Sequence, residues 1–241
     1  MIIIAHRGWS GKAPENTYAA FKLAIEEPMI QEVELDVHLT KDGIPVVIHD
    51  HTLERTTNGT GFVSDYTFKE LRQLNAGSWF DEMYELETIP SLEEVLELFK
   101  STTCRLVIEL KQMAEYYPNL EQSVVDLIRK YNMYSQVTVS SFDHESVRKV
   151  KELDESVETG LIYLGRTTLL LEQIHYTRAA NISMHYAFVT EELVDTMVCE
   201  GIKMGVWTVD EDYIIERLTG YHPNLRVTTN YPDRLMKLVQ F

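Results

Sequence analysis

The chain has 241 residues, 44% hydrophobic and 25% charged, with 22 Lys and Arg against 38 Asp and Glu and a formal charge of −16. This length suits one large domain or two small ones with room for a sizeable core, and no apolar run reaches bilayer length, so stable membrane insertion is not expected. The acidic balance repels nucleic-acid backbones and anionic surfaces, which excludes polynucleotide partners, and Cys104 and Cys199 form neither a disulfide framework nor a zinc signature and are expected to be buried thiols.

In chain order, Ile2 to Ala5 reads as a strand that follows Met1 with no basic-then-apolar leader, so a cytoplasmic location is expected. It runs into His6, Arg7 and Gly8, which puts an imidazole and a guanidinium at a strand end. Pro14 to Thr17 leads into a helix over Thr17 to Glu26 with Asn16 or Thr17 as cap; Glu15 either reaches a site or belongs only to this loop. In the second strand, Glu32 to Val37, Glu34 and Asp36 are two residues apart and share a face, while Val33, Leu35 and Val37 make the apolar one. Paired carboxylates suit a hard divalent cation, though a solvated strand face is the other reading of this segment. His38 is expected to face away from that pair, in a structural role or at the base of a hairpin. Lys41-Asp42-Gly43 is a turn signal and Pro45 to His49 a returning strand. His51 shares the face of His49, and His-x-His alone is too little for zinc.

Residues from about 51 to 90 read as an insertion after the second barrel strand that caps the C-terminal rim, with a turn at Asn58-Gly59-Thr60-Gly61 and a short helix near Phe68 to Leu74. A capping box, Ser91 with Glu94, opens the helix Leu92 to Phe99. In the strand Leu106 to Leu110 and just beyond it, Glu109 and Lys111 share a face, adding a third carboxylate and a cation. Strands at Val137 to Ser140, Thr159 to Tyr163, Ile182 to His185, Lys203 to Val209 and Arg226 to Thr229 follow. They alternate with helices at Leu120 to Tyr131, His144 to Leu153, Thr168 to Ala180, Glu191 to Glu200, Glu211 to Leu218 and Asp233 to Val239, with Asn119, Asp143 and Thr190 in cap-like positions. Leu169 to Leu171 is expected in the core, His185 at the rim, and His144, His175 and His222 in solvent. Trp207 is either core filler or an aromatic wall. Eight strands alternating with helices predict an α/β fold, a (β/α)8 TIM barrel in one domain over residues 1–241, with its site at the C-terminal rim.

Several segments together resemble the glycerophosphodiester phosphodiesterase family: His6-Arg7-Gly8, Pro14-Glu15-Asn16-Thr17, Glu34-Leu35-Asp36-Val37, Leu39-Thr40-Lys41-Asp42-Gly43, His49-Asp50, Arg55-Thr56-Thr57, Ile108-Glu109-Leu110-Lys111, Ser140-Ser141-Phe142, Trp207-Thr208-Val209 and Thr229-Asn230. The resemblance spans nearly the whole chain. It implies hydrolysis of a glycerophosphodiester to sn-glycerol 3-phosphate and an alcohol with one divalent cation, Ca2+ or Mg2+, with Mn2+ a further candidate. It makes Glu34, Asp36 and Glu109 the metal ligands, His6 and His49 the acid and base, Arg7 and Lys111 the phosphate-binding and charge-stabilising groups, and Trp207 a wall for the substrate. The nucleophile is water or, first, the glycerol 2-hydroxyl. Arg226-Val227 and Met204-Gly205 depart from the pattern and are expected to touch the rim and the substrate end. Alternatives are a lysophospholipase D-like or phosphatidylinositol phospholipase C-like enzyme, for which Trp79, Phe80 and Tyr84 would supply an apolar entrance, and a barrel that binds a phosphorylated ligand without turnover. Oligomeric state is not legible.

Overall fold

Alternation of short β-branched runs with amphipathic helices builds the expected barrel; the structure, a computed structural model, describes residues 1–239. In chain order the elements are β1 Ile2–Ala5, α1 Tyr18–Ile25, β2 Glu32–Leu39, β3 Pro45–Val47, α2 Phe68–Leu71, α3 Leu92–Phe99, β4 Arg105–Leu110, α4 Leu120–Tyr131, β5 Val137–Ser141, α5 His144–Leu153, β6 Glu158–Tyr163, α6 Leu170–Thr177, β7 Asn181–His185, α7 Glu191–Cys199, β8 Lys203–Trp207, α8 Asp212–Thr219, β9 Arg226–Thr229 and α9 Pro232–Val239. All strands but β3 are parallel, and β1 pairs with both β9 and β2, which closes a (β/α)8 barrel. β3 lies antiparallel on β2, with Val37 opposite Val47 and Leu39 opposite Pro45, the hairpin expected from Lys41-Asp42-Gly43. Among the described residues no helix is long and apolar enough to cross a membrane.

Outward strand residues such as Val33, Leu35, Ile108 and Val139 pack under the helices in the main core. Residues 51–90 carry α2 and two 3-10 turns over a smaller cluster of Val46, Ile48, Leu53, Val63, Leu71, Ala76 and Ile89. Asn58 exchanges hydrogen bonds with Asn75 there, which makes Asn58 to Gly61 a structural turn. The floor of the barrel is ionic: Arg226 bonds Glu32 and Asn181, while Glu158 accepts from Arg105, Lys203 and Thr138.

Several local expectations need correction. Thr17, Ser91, Asp143 and Thr190 cap their helices through side-chain oxygens, but Asn119 sits in the left-handed region at φ 69° and makes no side-chain cap bond. Leu169 is exposed rather than core, because α6 begins one residue later and buries Ile174 instead. Cys199 is exposed on α7, whereas Cys104 is buried, and burial beside Glu32 pushes its thiol up to about 12. His175 is exposed, but His144 is half-buried and bonds the Ile162 carbonyl at 3.1 Å. Arg226 lies at the start of β9, at the floor and not the rim.

Candidate active site

Strand register decides which charges meet. β2 is buried along its whole length, so the solvated-face reading of Glu34 and Asp36 does not hold. Asp36 is paired in register with Glu109 on β4, and Ala5 with Val33, so His6 follows β1 at the level of Glu34. Arg7 and Gly8 then turn through the left-handed region at φ 57° and 80°. Only glycine serves at position 8, since a Cβ there would lie 2.7 Å from the Ala20 backbone. For Arg7 the conformation is strained. The turn aims its backbone N–H at Glu34 Oε2, 3.0 Å away.

Glu34, Asp36 and Glu109 each bring an oxygen within 4.8 Å of the others, the one such group of three or more His, Cys, Asp or Glu among the described residues. Lys111 Nζ reaches Asp36 at 2.9 Å and Glu109 at 2.5 Å, Arg7 Nε lies 3.4 Å from Asp36, and Asn16 Nδ2 donates to Asp36 at 2.8 Å. Burial would raise all three acids. For Asp36, Lys111 and Arg7 outweigh it and hold that carboxyl far below its usual range. Glu34 is pushed well up by burial and by repulsion from Asp36 and Glu109, and Glu109 is raised by burial despite Lys111. Glu34 Oε1 is buried with no hydrogen-bond partner among the described residues. Three buried carboxylates, one with an unmatched oxygen, fit a hard divalent cation.

Both histidines are held through Nδ1. Asp210 takes the Asn230 amide N–H at 2.6 Å, which leaves Asn230 Oδ1 to accept from His6 Nδ1 at 2.7 Å and from Ser10 at 2.8 Å. Nε2 of His6 is therefore the nitrogen turned to the acids, 3.9 Å from Glu34. Burial and the Arg7 charge lower the His6 pKa to about 4. His49 Nδ1 lies 2.6 Å from Asp50, a carboxylate that only accepts. Asp50 in turn takes a bidentate bond from Arg55 at 2.7 and 3.0 Å; Arg55 also grips Glu15 at 2.8 Å, and Glu15 bonds Arg7 at 2.8 Å. Glu15 thus does reach the site.

His38 corrects an expectation. Alternation places it on the face of Glu34 and Asp36, not opposite, and its own bonds keep it structural: Nδ1 pairs with the Tyr117 hydroxyl at 2.7 Å and Nε2 with the His49 carbonyl at 2.9 Å. His51 packs edge-on to His38 and stacked on Tyr117. Trp207 lines the site cavity with its ring edge-on to Phe142 and His185, each 5.4 Å away. The cavity, about 190 Å³, also takes in His6, Arg7, Glu34, His49, Glu109 and Lys111. Trp79, Phe80 and Tyr84 do not line it; they cluster on the insertion, where Tyr84 bonds the Lys12 carbonyl.

The family model of the glycerophosphoryl diester phosphodiesterase family matches residues 6–234. The chain belongs to this family. A glycerophosphodiester phosphodiesterase of Caldanaerobacter subterraneus is 41% identical over 99% of this chain and 98% of its own length, and one from Bacillus subtilis is 32% identical over 99% of this chain and 86% of its own. Among solved structures, a phosphodiesterase of Oleispira antarctica in complex with the product sn-glycerol 3-phosphate superposes with a TM-score of 0.94 at 30% identity, covering 100% of this chain and 97% of that one. Asp50, Arg55, Asn230 and Asp210, to which the sequence alone gives no role, hold His6, His49 and Arg7 in place. The first three lie inside the motif segments, next to histidines or turns, while Asp210 had no local signal.

Proposed function

We propose that this phosphodiesterase hydrolyses glycerophosphodiesters to sn-glycerol 3-phosphate and an alcohol at the C-terminal mouth of the barrel. The observation that carries the reading is the convergence of Glu34, Glu109, two imidazoles, Arg7 and Lys111 on one cavity, with buried Asp36 grouped with the two glutamates and paired with Lys111. Glu34, Asp36 and Glu109 would hold the divalent cation, Mg2+, Ca2+ or Mn2+, which when bound supplies Lewis-acid polarisation of a phosphoryl oxygen. Arg7 and Lys111, both largely buried, contribute fixed positive charge where negative charge builds on phosphorus. His6 and His49 form the proton-transfer pair; with Nδ1 of each engaged, Nε2 is the nitrogen available to take or give a proton. Trp207 walls the substrate. A barrel that only bound a phosphorylated ligand would have no use for two imidazoles oriented in this way.

Release of sn-glycerol 3-phosphate from glycerophosphocholine and glycerophosphoethanolamine, with EDTA and then Mg2+, Ca2+ or Mn2+ added back, tests the reading. Release should stop with chelator and return with cation, and His6→Ala or His49→Ala should lower turnover by roughly 10²-fold or more with unchanged circular dichroism. Activity indifferent to EDTA removes the cation from the reaction; near-normal rates in either variant remove that histidine.

A further inference from the structure

His49 stands outside regular structure. The chain leaves β3 at Val47 and makes one more main-chain bond, from the Ile48 N–H to the Asp36 carbonyl at 3.1 Å. After that, among the described residues, the single hydrogen bond of the His49 main chain is from its carbonyl to His38 Nε2, at 2.9 Å. Asp50 orients the imidazole through Nδ1, but a bond to the ring does not by itself fix the backbone that carries the ring. The His38 bond supplies that second restraint.

The partners of His38 set the direction of its bonds. A carbonyl only accepts, so His38 Nε2 carries the proton; in a neutral ring Nδ1 is then the acceptor, and the Tyr117 hydroxyl donates to it at 2.7 Å. Tyr117 is fixed in turn. Gln112 Oε1 accepts from its backbone N–H at 2.8 Å, and Gln112 Nε2 donates to its carbonyl at 2.9 Å and to Glu121 at 3.1 Å. Gln112 follows Lys111 in the loop between β4 and α4, and His38, Gln112, Tyr117 and Glu121 are all buried. A buried, fully paired network of this kind holds its members in one arrangement. His38 itself does not line the cavity, so it does not meet the substrate.

We propose that His38 is a positioning residue for the reaction: with Tyr117 it pins the His49 main chain to the β4–α4 loop that carries Lys111, and so keeps the His49 imidazole and the Lys111 ammonium at a fixed spacing across the phosphoryl position. The proposal deepens the reading above and rests on the proton-transfer role given there to His49. Displacing a reacting group by about 1 Å costs on the order of 10²-fold in rate. Losing one of the two restraints on His49 therefore has its effect on kcat.

Steady-state hydrolysis of glycerophosphocholine by the full-length protein, with the cation that supports the highest turnover, compares wild type, His38→Asn, His38→Gln, Tyr117→Phe, His49→Ala and the His38→Asn/His49→Ala double variant, with thermal midpoints checking the fold. A glutamine amide nitrogen falls where histidine Nε2 lies and an asparagine amide where Nδ1 lies, so His38→Gln keeps a donor for the His49 carbonyl and His38→Asn does not. His38→Asn should lower kcat roughly tenfold with KM changed less than about twofold, and His38→Gln should recover kcat to within about threefold of wild type. Tyr117→Phe should lower kcat about three- to fivefold, because the His38 ring still donates but is free to turn. In the His49→Ala background His38→Asn should cost nothing more, since the group it serves is gone. Equal kcat in wild type and His38→Asn, equal losses in the Asn and Gln variants, or a His38→Asn loss that persists in the His49→Ala background overturns the positioning role alone. Near-normal kcat in His49→Ala removes the role of His49 and that of His38 with it. Should His38→Asn fail to fold, Tyr117→Phe alone and combined with His49→Ala carries the test, and an unchanged kcat in Tyr117→Phe overturns the proposal.

Discussion

His49 is held by its sequence neighbour. Adjacent residues on an extended strand point to opposite faces, so the His49–Asp50 contact of 2.6 Å exists only because β3 ends at Val47 and the chain bends through 48–50. The Arg55 bonds hold the Asp50 carboxyl well below its usual range, so it stays ionised wherever the imidazole titrates and fixes the proton on Nδ1. His6 gets the same orientation from a neutral amide, Asn230. Asp50→Asn should lower kcat on glycerophosphocholine by roughly 10- to 100-fold with KM changed little, because the ring loses its tautomer and not its contact with substrate. An unchanged kcat, measured at steady state, would show that Asp50 does not orient His49. Both motif residues were visible in the sequence as the dipeptide His49-Asp50, yet the contact between them was not, since it depends on where a strand stops.

At the scale of elements, the insertion over residues 51–90 has its own apolar cluster and is tied to the β1–α1 loop by two side chains, Arg55 on Glu15 and Tyr84 on the Lys12 carbonyl. These ties cross from one wall of the site to the other, linking His49 through Asp50, Arg55 and Glu15 to Arg7. Arg55 is 42% exposed, so its ion pairs contribute little to global stability. Arg55→Met should therefore shift the unfolding free energy by less than about 1 kcal/mol while speeding amide exchange in residues 51–62 and 11–16 and raising KM. Exchange as slow as in wild type would mean the apolar cluster alone seats the insertion. The hairpin and four of the helix caps were readable from turn and cap residues; the bridge between loops was not, because Glu15 and Arg55 carry no pattern that relates them.

For the molecule as a whole, a cation held at the acid cluster would couple binding to folding. Glu34 and Glu109 are raised by burial and by repulsion from their acidic neighbours, so a bound cation would relieve repulsion that the folded state otherwise carries. Saturation at about 100 times Kd contributes ~2.7 kcal/mol, or roughly 5–10 °C in thermal midpoint for a chain of this size. Differential scanning calorimetry with and without Mg2+, Ca2+ or Mn2+ reads this directly, and a midpoint indifferent to all three would argue against a cation at these acids. Glu158 at the barrel floor is one of the groups that shape the acid limb, beside the strongly lowered Asp36 and Asp50. Burial would raise Glu158, but Lys203, Asn181 and Thr138 outweigh it and lower its pKa to about 2 from 4.5. A lowered carboxylate stabilises the fold above its unfolded pKa and is lost as pH falls through its folded one, so the contribution fades between pH 4.5 and about 2. It is at most about 3 kcal/mol, and less because Lys203 is half exposed and screened. In urea titrations over that pH range Glu158→Gln should flatten the loss of stability; an acid limb as steep as in wild type would assign it to other groups.

What the sequence by itself determined is local and periodic: the two-residue spacing of Glu34 and Asp36, the alternation of strands with amphipathic helices, and the His6-Arg7-Gly8 strand end. Those features suffice for a barrel and for a paired-carboxylate face, because each depends on side-chain direction along one element, while the roles of Glu109, His6 and His49 came only from the resemblance to the family. Tertiary structure decided the rest: Asp36 beside Glu109, His38 turned to Tyr117 instead of the acids, and Arg226 at the floor. Each of those relations joins residues on different strands, and they follow from register and barrel closure, which no period within a single strand encodes.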